Sequence, residues 1–364
     1  MKIAQFVTAS YSYPLPPGVV FAPLETTNLL INGLIEKGHN VTWYIPKGAE
    51  TRAQVKDFGI IPSQLDKRWK RMTATQKTSI HLFSEALFLS RLAEEAKQYD
   101  VIHIHSFLLA LAFARLIKDR PVVFTLHNPL TDIHVQANAL AHKDLKNVFF
   151  ISISNNQRKP LPDLNYLATI YHGLEVEKIS WSANPGKRWV WVGRIVPEKG
   201  PDIAVKLARK LNLELDIIGP IPKDPVKSTF FVKKVKPYID GKQIRYLGAK
   251  SYQNVLKAFA SAKGFLFPLR WEEPFGLTFI ESLACGTPVV AFKRGAAPEI
   301  IESGRTGFVV ETEREMEKAI LRIEEIDRRE CRKAVEERFT AKRVVEEYIE
   351  AYKEAIRRFR AQRG

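Results

Sequence analysis

Residues 265–299, FLFPLRWEEPFGLTFIESLACGTPVVAFKRGAAPE, contain a predicted strand, a loop, a helix and a second strand, in that order. The apolar run Phe265–Phe267 ends at a proline and is typical of a buried parallel strand. An acidic loop follows, and the apolar spacing of Leu277–Ala284 predicts a helix that ends at Cys285-Gly286. Val289–Phe292 is predicted as the next strand. Ligands of such sheets bind where parallel strands end, and the free N–H groups of a helix start suit an anionic group.

Two carboxylates frame the loop and the helix. Glu273 and Glu281 are eight positions apart, which is about 12 Å along the axis if the whole interval is helical. The two carboxylates of a glycoside hydrolase lie only about 5 to 9.5 Å apart, across one bond. The spacing therefore favours two residues that hold opposite ends of an extended ligand. A solvated acidic loop followed by a glutamate on a helix face is the alternative.

The segment EPFGLTFIE, from Glu273 to Glu281, resembles the Glu-x7-Glu motif of retaining glycosyltransferases of the family 4 type, which are glycogen-synthase-like group 1 glycosyl transferases. The resemblance implies an α/β GT-B fold, in which two doubly wound Rossmann-like domains face a central cleft. It implies that Glu273 contacts hydroxyls of the donor sugar and that Glu281 binds the nucleotide ribose. Backbone N–H groups near Phe275, Gly276 and Leu277 would bind the donor diphosphate.

A second segment places two cations at a strand end. The predicted strand Arg188–Val192 runs into GRIVPEKG, residues 193–200, and a helix is predicted over Pro201–Leu211. Arginine offers a planar fork of donors and lysine a mobile point charge, so Arg194 and Lys199 suit a diphosphate. A surface turn rich in Lys and Arg is the alternative.

The same segment resembles the Gly-Arg…Glu-Lys-Gly signature of the family. That resemblance implies that Arg194 and Lys199 neutralise the phosphates of the leaving nucleotide and that Gly193 belongs to the donor site. It also implies that backbone atoms near Gly248, at the end of the predicted strand Ile244–Leu247, help to hold the base.

The first half of the chain also alternates strands and helices. Lys2–Val7 and Val41–Ile45 are predicted as strands with a helix over Glu25–Lys37 between them, which is the β-α-β opening of a doubly wound domain. Family members usually carry a Gly-Gly pair in the loop before that glutamate, and Ala22-Pro23 occupies its place here. Because Pro23 has no N–H and a fixed φ, a nucleotide-sugar-binding protein without transfer activity is a second hypothesis.

Histidines follow two predicted strands of this half. His103 and His105 share one side of the strand Asp100–His105 because strand side chains alternate, and His127 ends the strand Pro121–Leu126. Ligands bind at such strand ends. By resemblance, His127 lies beside the donor sugar and contacts its hydroxyls, so it is counted with the catalytic residues. His103 and His105 fit a structural role equally well.

The length of 364 residues predicts two domains. The turn Asn184-Pro185-Gly186 lies in a predicted linker over His172–Lys187. The first domain, on the acceptor side, is placed at residues 1–172, and the second, which binds the donor, at 173–344. By resemblance, the last helix, over about residues 345–364, crosses back and completes the first domain.

The net charge of +16 lies mostly in the second half. Residues 1–180 carry 20 Lys and Arg against 15 Asp and Glu, and residues 181–364 carry 36 against 25. The basic residues are densest from Lys223 to Lys250 and include Lys227. Such a field attracts a nucleotide diphosphate, an anionic membrane or nucleic acid. Nucleic acid is not expected as a partner because it leaves both motifs unexplained, and a solvated basic face is the alternative.

Localisation is predicted from what the sequence lacks. It has no apolar run of about 18 residues, and its first residues lack the apolar core of a signal peptide, so we expect a cytoplasmic protein.

Residues 47–78 are predicted to be irregular. Within them, basic residues flank Trp69 between Lys67 and Arg71, a pattern that permits weak association with an anionic membrane. A solvated loop with Trp69 packed inward is favoured.

The expected reaction needs no metal and no cofactor. The sequence has no Asp-x-Asp motif, and Arg194 and Lys199 are expected to stabilise the leaving phosphate instead. The resemblance implies transfer of a hexosyl group from a nucleotide-diphosphate sugar, with retention, to a hydroxyl of a saccharide, lipid or small-molecule acceptor. A front-face attack in which the leaving phosphate takes the acceptor proton is favoured over a double displacement.

Overall fold

The computed structural model describes residues 1–16 and 19–363, with the side chains of residues 64, 70 and 225–227 outside the description. Lys70 and Lys227 of the predicted basic segments therefore have side chains outside the described part. The chain divides into two units, Met1–Tyr171 with Ala341–Gly364, and His172–Thr340. The chain thus returns to the first unit after the second unit is complete.

Parallel strands and helices alternate in the first unit. Its strands are β1 (Lys2–Phe6), β2 (Asn40–Tyr44), β3 (Gln54–Lys56), β4 (Val101–Ile104), β5 (Val122–Thr125), β6 (Val148–Ser152) and β7 (Tyr166–Thr169). Its helices are α1 (Ala22–Glu36), α2 (Ala74–Glu94), α3 (Leu108–Ala114), α4 (Ile133–Ala141), α5 (Asn155–Arg158) and, from the end of the chain, α13 (Ala341–Ala361). The sheet order is β3-β2-β1-β4-β5-β6-β7, and neighbouring strands are parallel. The order reverses between β1 and β4, which makes this pair the switch point of a doubly wound sheet.

The sheet of the first unit separates two apolar cores. Ala4 and Phe6 of β1 enter the core that contains residues of α2 and α3, whereas Ile3 enters the core that contains residues of α1 and α13. This division follows from the alternation of side chains along a strand. Helices therefore cover both faces of the sheet, as parallel sheets require.

Two predictions for this unit are wrong in detail. The helix predicted over Glu25–Lys37 begins at Ala22, so Pro23 lies in its first turn rather than in a loop. Proline is favoured there because the N–H that it lacks would have no partner within the helix. Residues 47–78, predicted to be irregular, contain β3 and the start of α2, where Thr73 and Gln76 form a reciprocal capping box.

The second unit repeats the architecture. Its strands are β8 (Trp189–Val192), β9 (Leu215–Ile218), β10 (Ile244–Tyr246), β11 (Phe265–Phe267), β12 (Val289–Phe292) and β13 (Gly307–Val310). Its helices are α6 (Pro201–Lys210), α7 (Pro225–Phe230), α8 (Tyr252–Ser261), α9 (Leu277–Ala284), α10 (Ala297–Ile300), α11 (Glu313–Leu321) and α12 (Arg328–Arg338). The order β10-β9-β8-β11-β12-β13, parallel throughout, is the 3-2-1-4-5-6 order of Rossmann sheets. The predicted α/β class, with two parallel sheets, is confirmed. No helix in residues 1–16 and 19–363 is long and apolar enough to cross a membrane.

Candidate active site

The switch point of the second sheet brings the two predicted motifs together. β8 and β11 are neighbours, and the order of the sheet reverses between them. Residues 193–200 follow the carboxyl end of β8, and residues 268–276 follow the carboxyl end of β11. Segments that are some 70 residues apart in sequence therefore leave the sheet at the place where ligands of such sheets bind.

Lys199 and Glu273 form an ion pair between these two segments, and their side chains are only 14% and 11% exposed. Trp271 Nε1 donates a hydrogen bond of 2.9 Å to Glu273 Oε2, the same oxygen that Lys199 contacts. The Lys199 ammonium also lies 4.5 Å from the centre of the Trp271 ring, which is a cation–π distance. One oxygen of Glu273 is thus fixed by two donors, and the orientation of the carboxylate follows.

A second ion pair joins the same two segments. Arg270 donates to both carboxylate oxygens of Asp202, in the first turn of α6, at 2.8 and 2.7 Å. The backbone N–H of Arg270 also donates to the Glu198 carbonyl at 2.8 Å. Since Asp202 is buried and bidentate pairs fix geometry as well as distance, the loop after β11 is held against the start of α6.

Glycines allow the backbones at this site to approach closely. Gly200 has φ +69°, and a Cβ there would lie 1.9 Å from the Pro268 carbonyl oxygen. Gly295, after β12, has φ +56°, and a Cβ there would lie 2.2 Å from backbone atoms of Glu273. Any side chain at either position would displace the loop that carries Glu273.

Two of the glycines predicted to bind the donor, Gly193 and Gly248, both contact a third glycine. Gly219, at the end of β9, donates its N–H to the Gly248 carbonyl at 3.0 Å, and its Cα approaches Gly193 so closely that a Cβ would lie 1.7 Å from the Gly193 oxygen. Gly193 and Gly248 are therefore bridged by Gly219, along the ends of β8, β9 and β10. The exposed Arg194 follows directly and has no ion-pair partner among the described residues.

α9 begins at this same edge of the sheet. Gly276, with φ +90°, precedes its first residue, Leu277. Phe275 is buried with its ring 5.1 Å from that of His172, so only its backbone can face a ligand. Glu281 is half-buried on α9, its carboxylate has no hydrogen-bond partner among the described residues, and burial raises its pKa to about 7.

His127 belongs to the first unit and follows β5. Its Nε2 lies 2.9 Å from Nδ1 of His105, which follows β4, and the two rings are stacked. His105 also bonds Gln5 Oε1 at 3.1 Å, and Gln5 donates to the Tyr352 hydroxyl of α13 at 3.2 Å. The predicted catalytic histidine is therefore attached to a buried hydrogen-bonded chain.

His103 has a structural place in that chain. Its Nδ1 lies 2.7 Å from the Tyr352 hydroxyl and its Nε2 lies 2.7 Å from Thr125 Oγ1. Burial, together with the charge of His127, holds the pKa of His103 well below its ordinary value. A fully buried imidazole with both nitrogens bonded is a neutral part of the core.

The roles predicted for the site residues stay predictions, and the structure adds partners that the sequence did not reveal. Trp271, Asp202, Arg270 and Gly295 were not singled out. The only sequence feature that could have indicated one of them, Trp271, was WEEP, residues 271–274, in which a tryptophan stands directly before the acidic pair.

Family models match both halves of the chain. Residues 177–342 match the model of glycosyl transferases group 1, and residues 26–158 match the model of glycosyltransferase family 4. The chain belongs to this glycosyltransferase family. In this family 4 protein, the group 1 match contains β8 to β13 and thus the whole candidate site of the second unit.

Curated relatives of this glycosyltransferase-family protein are distant. An uncharacterized glycosyltransferase of Methanocaldococcus jannaschii is 25% identical over 232 residues, 60% of this chain and 62% of that protein. The D-inositol 3-phosphate glycosyltransferase of Mycobacterium leprae is 26% identical over 266 residues, 64% of this chain and 62% of that protein. The chain thus matches less than two thirds of the length of these relatives.

Solved structures match over nearly the whole length. Sucrose-phosphate synthase from Thermosynechococcus elongatus aligns with a TM-score of 0.74 at 17% identity, covering 97% of this chain and 99% of that one. Anabaena HepE in complex with UDP-glucose aligns with a TM-score of 0.69 at 17% identity, covering 97% and 100%. These neighbours confirm the predicted GT-B fold class.

Proposed function

We propose that the protein is a metal-independent retaining glycosyltransferase that moves a hexosyl group from a nucleotide-diphosphate sugar to an acceptor hydroxyl. One observation carries the proposal: Glu273 is held by Lys199 and Trp271 at the switch point of the second sheet. A fixed carboxylate can accept hydrogen bonds from sugar hydroxyls, and the lysine beside it can meet a phosphate.

The charges at the site fit the departure of a nucleotide diphosphate. Breaking the bond between sugar and phosphate leaves negative charge on the phosphate, and fixed donors there stabilise the transition state more than the ground state. Lys199 and the exposed Arg194 supply the positive charge, and the N–H groups of Gly276 and Leu277 at the start of α9 add partial positive charge. Glu281 would accept hydrogen bonds from the ribose. No metal is needed for this charge balance.

The proposed donor is a UDP-hexose. Structures of Anabaena HepE contain UDP and UDP-glucose, and that protein shares the fold of this chain. For retention we propose front-face attack: the acceptor oxygen bonds to the anomeric carbon on the side from which the phosphate leaves. The bond from carbon to phosphate oxygen breaks, and that oxygen takes the acceptor proton.

The test is a metal-free panel of UDP-, GDP- and ADP-hexoses, scored by thermal shift and by nucleotide release. We expect one donor to stabilise the protein and to be slowly hydrolysed. Lys199→Ala should lower turnover by about 10²–10³-fold, as loss of a transition-state donor does in other enzymes. Glu273→Gln should also lower turnover, because it removes the charge that accepts hydrogen bonds from the sugar hydroxyls. Glu177→Gln and Lys206→Ala, exposed residues of the same types in the second unit, are the matched controls. Turnover that needs Mg²⁺, or that survives both site variants, would refute the proposal.

A protein that binds a nucleotide sugar without transferring it is the second candidate, because Ala22-Pro23 stands where the family usually has two glycines. Pro23 offers no N–H to a diphosphate, and it lies in the first turn of α1. A donor-induced thermal shift, with no turnover of that donor alone or with any acceptor, would favour this candidate.

A weak association with anionic membranes is proposed for the acceptor side. Leu65 and Phe83 are 63% and 74% exposed, and Arg68, which pairs with Asp66, lies between them in sequence with its side chain 81% exposed. Apolar side chains near basic ones can seat in a lipid interface. We expect the protein to pellet with vesicles containing phosphatidylserine at low salt, and Phe83→Ser to reduce pelleting. Equal pelleting with neutral vesicles would contradict an electrostatic contribution.

A further inference from the structure

Four polar side chains meet at the switch point of the first sheet. Ser10 follows β1 and Ser106 follows β4, the two strands between which the order of the sheet reverses. His81 and Glu85 lie one turn apart on α2, between β3 and β4 in sequence. Ser106 directly follows His105, the residue that bonds His127. Like the donor motifs of the second unit, the cluster stands where ligands of doubly wound sheets bind.

The four side chains form a series of contacts that runs from Ser10 through His81 and Glu85 to Ser106. Ser10 Oγ lies 2.6 Å from His81 Nδ1, His81 Nε2 lies 3.8 Å from Glu85 Oε2, and Ser106 Oγ donates to that same oxygen at 3.4 Å. The Ser10 carbonyl also accepts a hydrogen bond of 3.0 Å from Ser63 Oγ. The loop that carries Ser10 is therefore fixed against residues before α2, and the cluster has a defined geometry.

Glu85 is the unusual member. Its side chain is only 7% exposed, yet its sole hydrogen bond within the described residues is the long one from Ser106, and Oε1 has none. Burial accordingly raises the pKa of Glu85 to about 7 and lowers the pKa of His81. Such a carboxyl suits a polar ligand that supplies the missing hydrogen bonds.

The geometry excludes a hydrolase triad. In such a triad the histidine is oriented by a hydrogen bond from its second nitrogen to a carboxylate. The distance of 3.8 Å between His81 Nε2 and Glu85 Oε2 is too long for that bond. A metal site does not fit either, because the described residues contain no group of three His, Cys, Asp or Glu that could hold an ion. The cluster is therefore better suited to binding than to nucleophilic chemistry.

We propose that Ser10, His81, Glu85 and Ser106 bind neighbouring hydroxyl groups of an uncharged, polyhydroxylated acceptor, a saccharide or another polyol. A sugar hydroxyl both donates and accepts, so it can donate to Glu85 Oε1 while it accepts from a serine or from His81. A fully ionised phosphate or carboxylate has no proton to donate to Glu85 Oε1, whereas a hydroxyl group has one. The inference rests on the proposed function, because it gives that reaction its acceptor subsite.

The experiment measures acceptor-dependent and acceptor-free turnover separately in the full chain. Glucose, mannose, myo-inositol and glycerol, with glucose 6-phosphate as the charged comparison, are added to the donor that gives a thermal shift. We expect at least one neutral polyol to accelerate nucleotide release and to yield a glycosylated product. Glu85→Gln should lower kcat/KM for that polyol by about tenfold or more, the effect of losing one good hydrogen bond. Donor thermal shift and acceptor-free hydrolysis should remain unchanged.

Two further variants make the result specific. Ser106→Ala removes a hydroxyl with little risk to the fold and should also raise KM for the polyol. Glu94→Gln, at an exposed position of the same helix, should have no effect. Acceleration by glucose 6-phosphate alone, or by none of the five compounds, would overturn the proposal, and so would unchanged acceptor kinetics in Glu85→Gln. A wild-type protein that binds and turns over no donor would instead refute the proposed function, and the acceptor subsite would fall with it.

Discussion

The protonation state of the Glu281 carboxyl group should affect the free energy of unfolding. The residue is half-buried, but its carboxyl group lies on the buried side, and this burial raises its pKa from 4.5 to about 7 in the folded state. The folded state therefore binds a proton that the unfolded state releases, and stability falls as pH rises from about 4.5 to 7. We expect Glu281→Gln to raise Tm relative to wild type at pH 8 but not at pH 4.5, as scanning fluorimetry at both values would show. The same Tm difference at both pH values would contradict the assignment.

Gly200 should be irreplaceable for two separable reasons. It has φ +69°, and a Cβ would overlap the Pro268 carbonyl oxygen. Gly304 has φ +87°, but a Cβ there meets no atom within 4 Å. Gly304→Ala should therefore lower the free energy of unfolding only by the cost of placing an alanine at positive φ, about 1 kcal/mol. Gly200→Ala should lower it by clearly more and should also weaken donor binding. Urea unfolding of both variants measures the difference, and equal losses would show that the close approach to Pro268 carries no cost.

At the residue scale the sequence predicted candidates but not their contacts. Lys199 and Glu273 were singled out from two separate motifs, and the resemblance gave them separate partners, the phosphates and the sugar. Their ion pair depends on β8 and β11 being adjacent, which is a property of the sheet order and not of either motif. Glu85 was not found because one glutamate on an amphipathic helix carries no signal until Ser106 is placed beside it.

Helix α12 shows how one element can hold others in place. Arg328 is 5% exposed, and the residues described include no carboxylate that pairs with it. Its guanidinium donates instead to the carbonyls of Ser182, Ala260 and Ala262 at 2.8, 3.0 and 2.8 Å. Ala260 and Ala262 lie at the end of α8, where carbonyls lack partners within the helix and carry partial negative charge. The guanidinium thus caps α8 and ties it to the segment before β8.

Removing that guanidinium should destabilise the second unit. Arg328→Met keeps most of the side-chain volume but leaves the three carbonyls and the Thr287 hydroxyl without their donor. We expect the free energy of unfolding to fall by about 3 kcal/mol or more, because charged hydrogen bonds are each worth about 1.5–3 kcal/mol. Arg329→Met, at the exposed next position, should change it little. Similar denaturation midpoints for both variants would show that the carbonyls find other partners.

At the element scale, the strength of the local pattern decided what could be predicted. β11, α9 and β12 were predicted with the bounds that the structure has, since strong apolar runs and glycine or proline breaks define them. β3 has only three residues, too few to show alternation, and it was missed. α4 was missed as well, although Asp132 caps it by accepting hydrogen bonds from His134 and Val135. Its N-cap was the signal available in the sequence.

The last helix of the chain, α13, completes the core of the first unit. α13 follows the second unit in sequence but contributes to the core of the first. Tyr348 bonds Thr125 at 2.9 Å and Tyr352 bonds Gln5 at 3.2 Å, so α13 also supports the hydrogen-bonded chain that ends at His127. The sequence predicted the apolar face of this helix from its spacing, but the unit that it joins came only from the family resemblance, because periodicity does not identify the partner of a face.

Loss of α13 should therefore unfold the first unit and spare the second. Six large side chains of α13 are buried: Val344, Val345, Tyr348, Ile349, Tyr352 and Phe359. Burial of each contributes about 1.5–3 kcal/mol, so together they are comparable with the total stability of a typical domain, about 5–15 kcal/mol. In a chain ending at Thr340, limited proteolysis should degrade residues 1–171 and leave 172–340 protected. A chain ending at Ala361 retains the whole helix and should resist in both parts. Protection of residues 1–171 in the shorter chain would show that the first unit folds without its last helix.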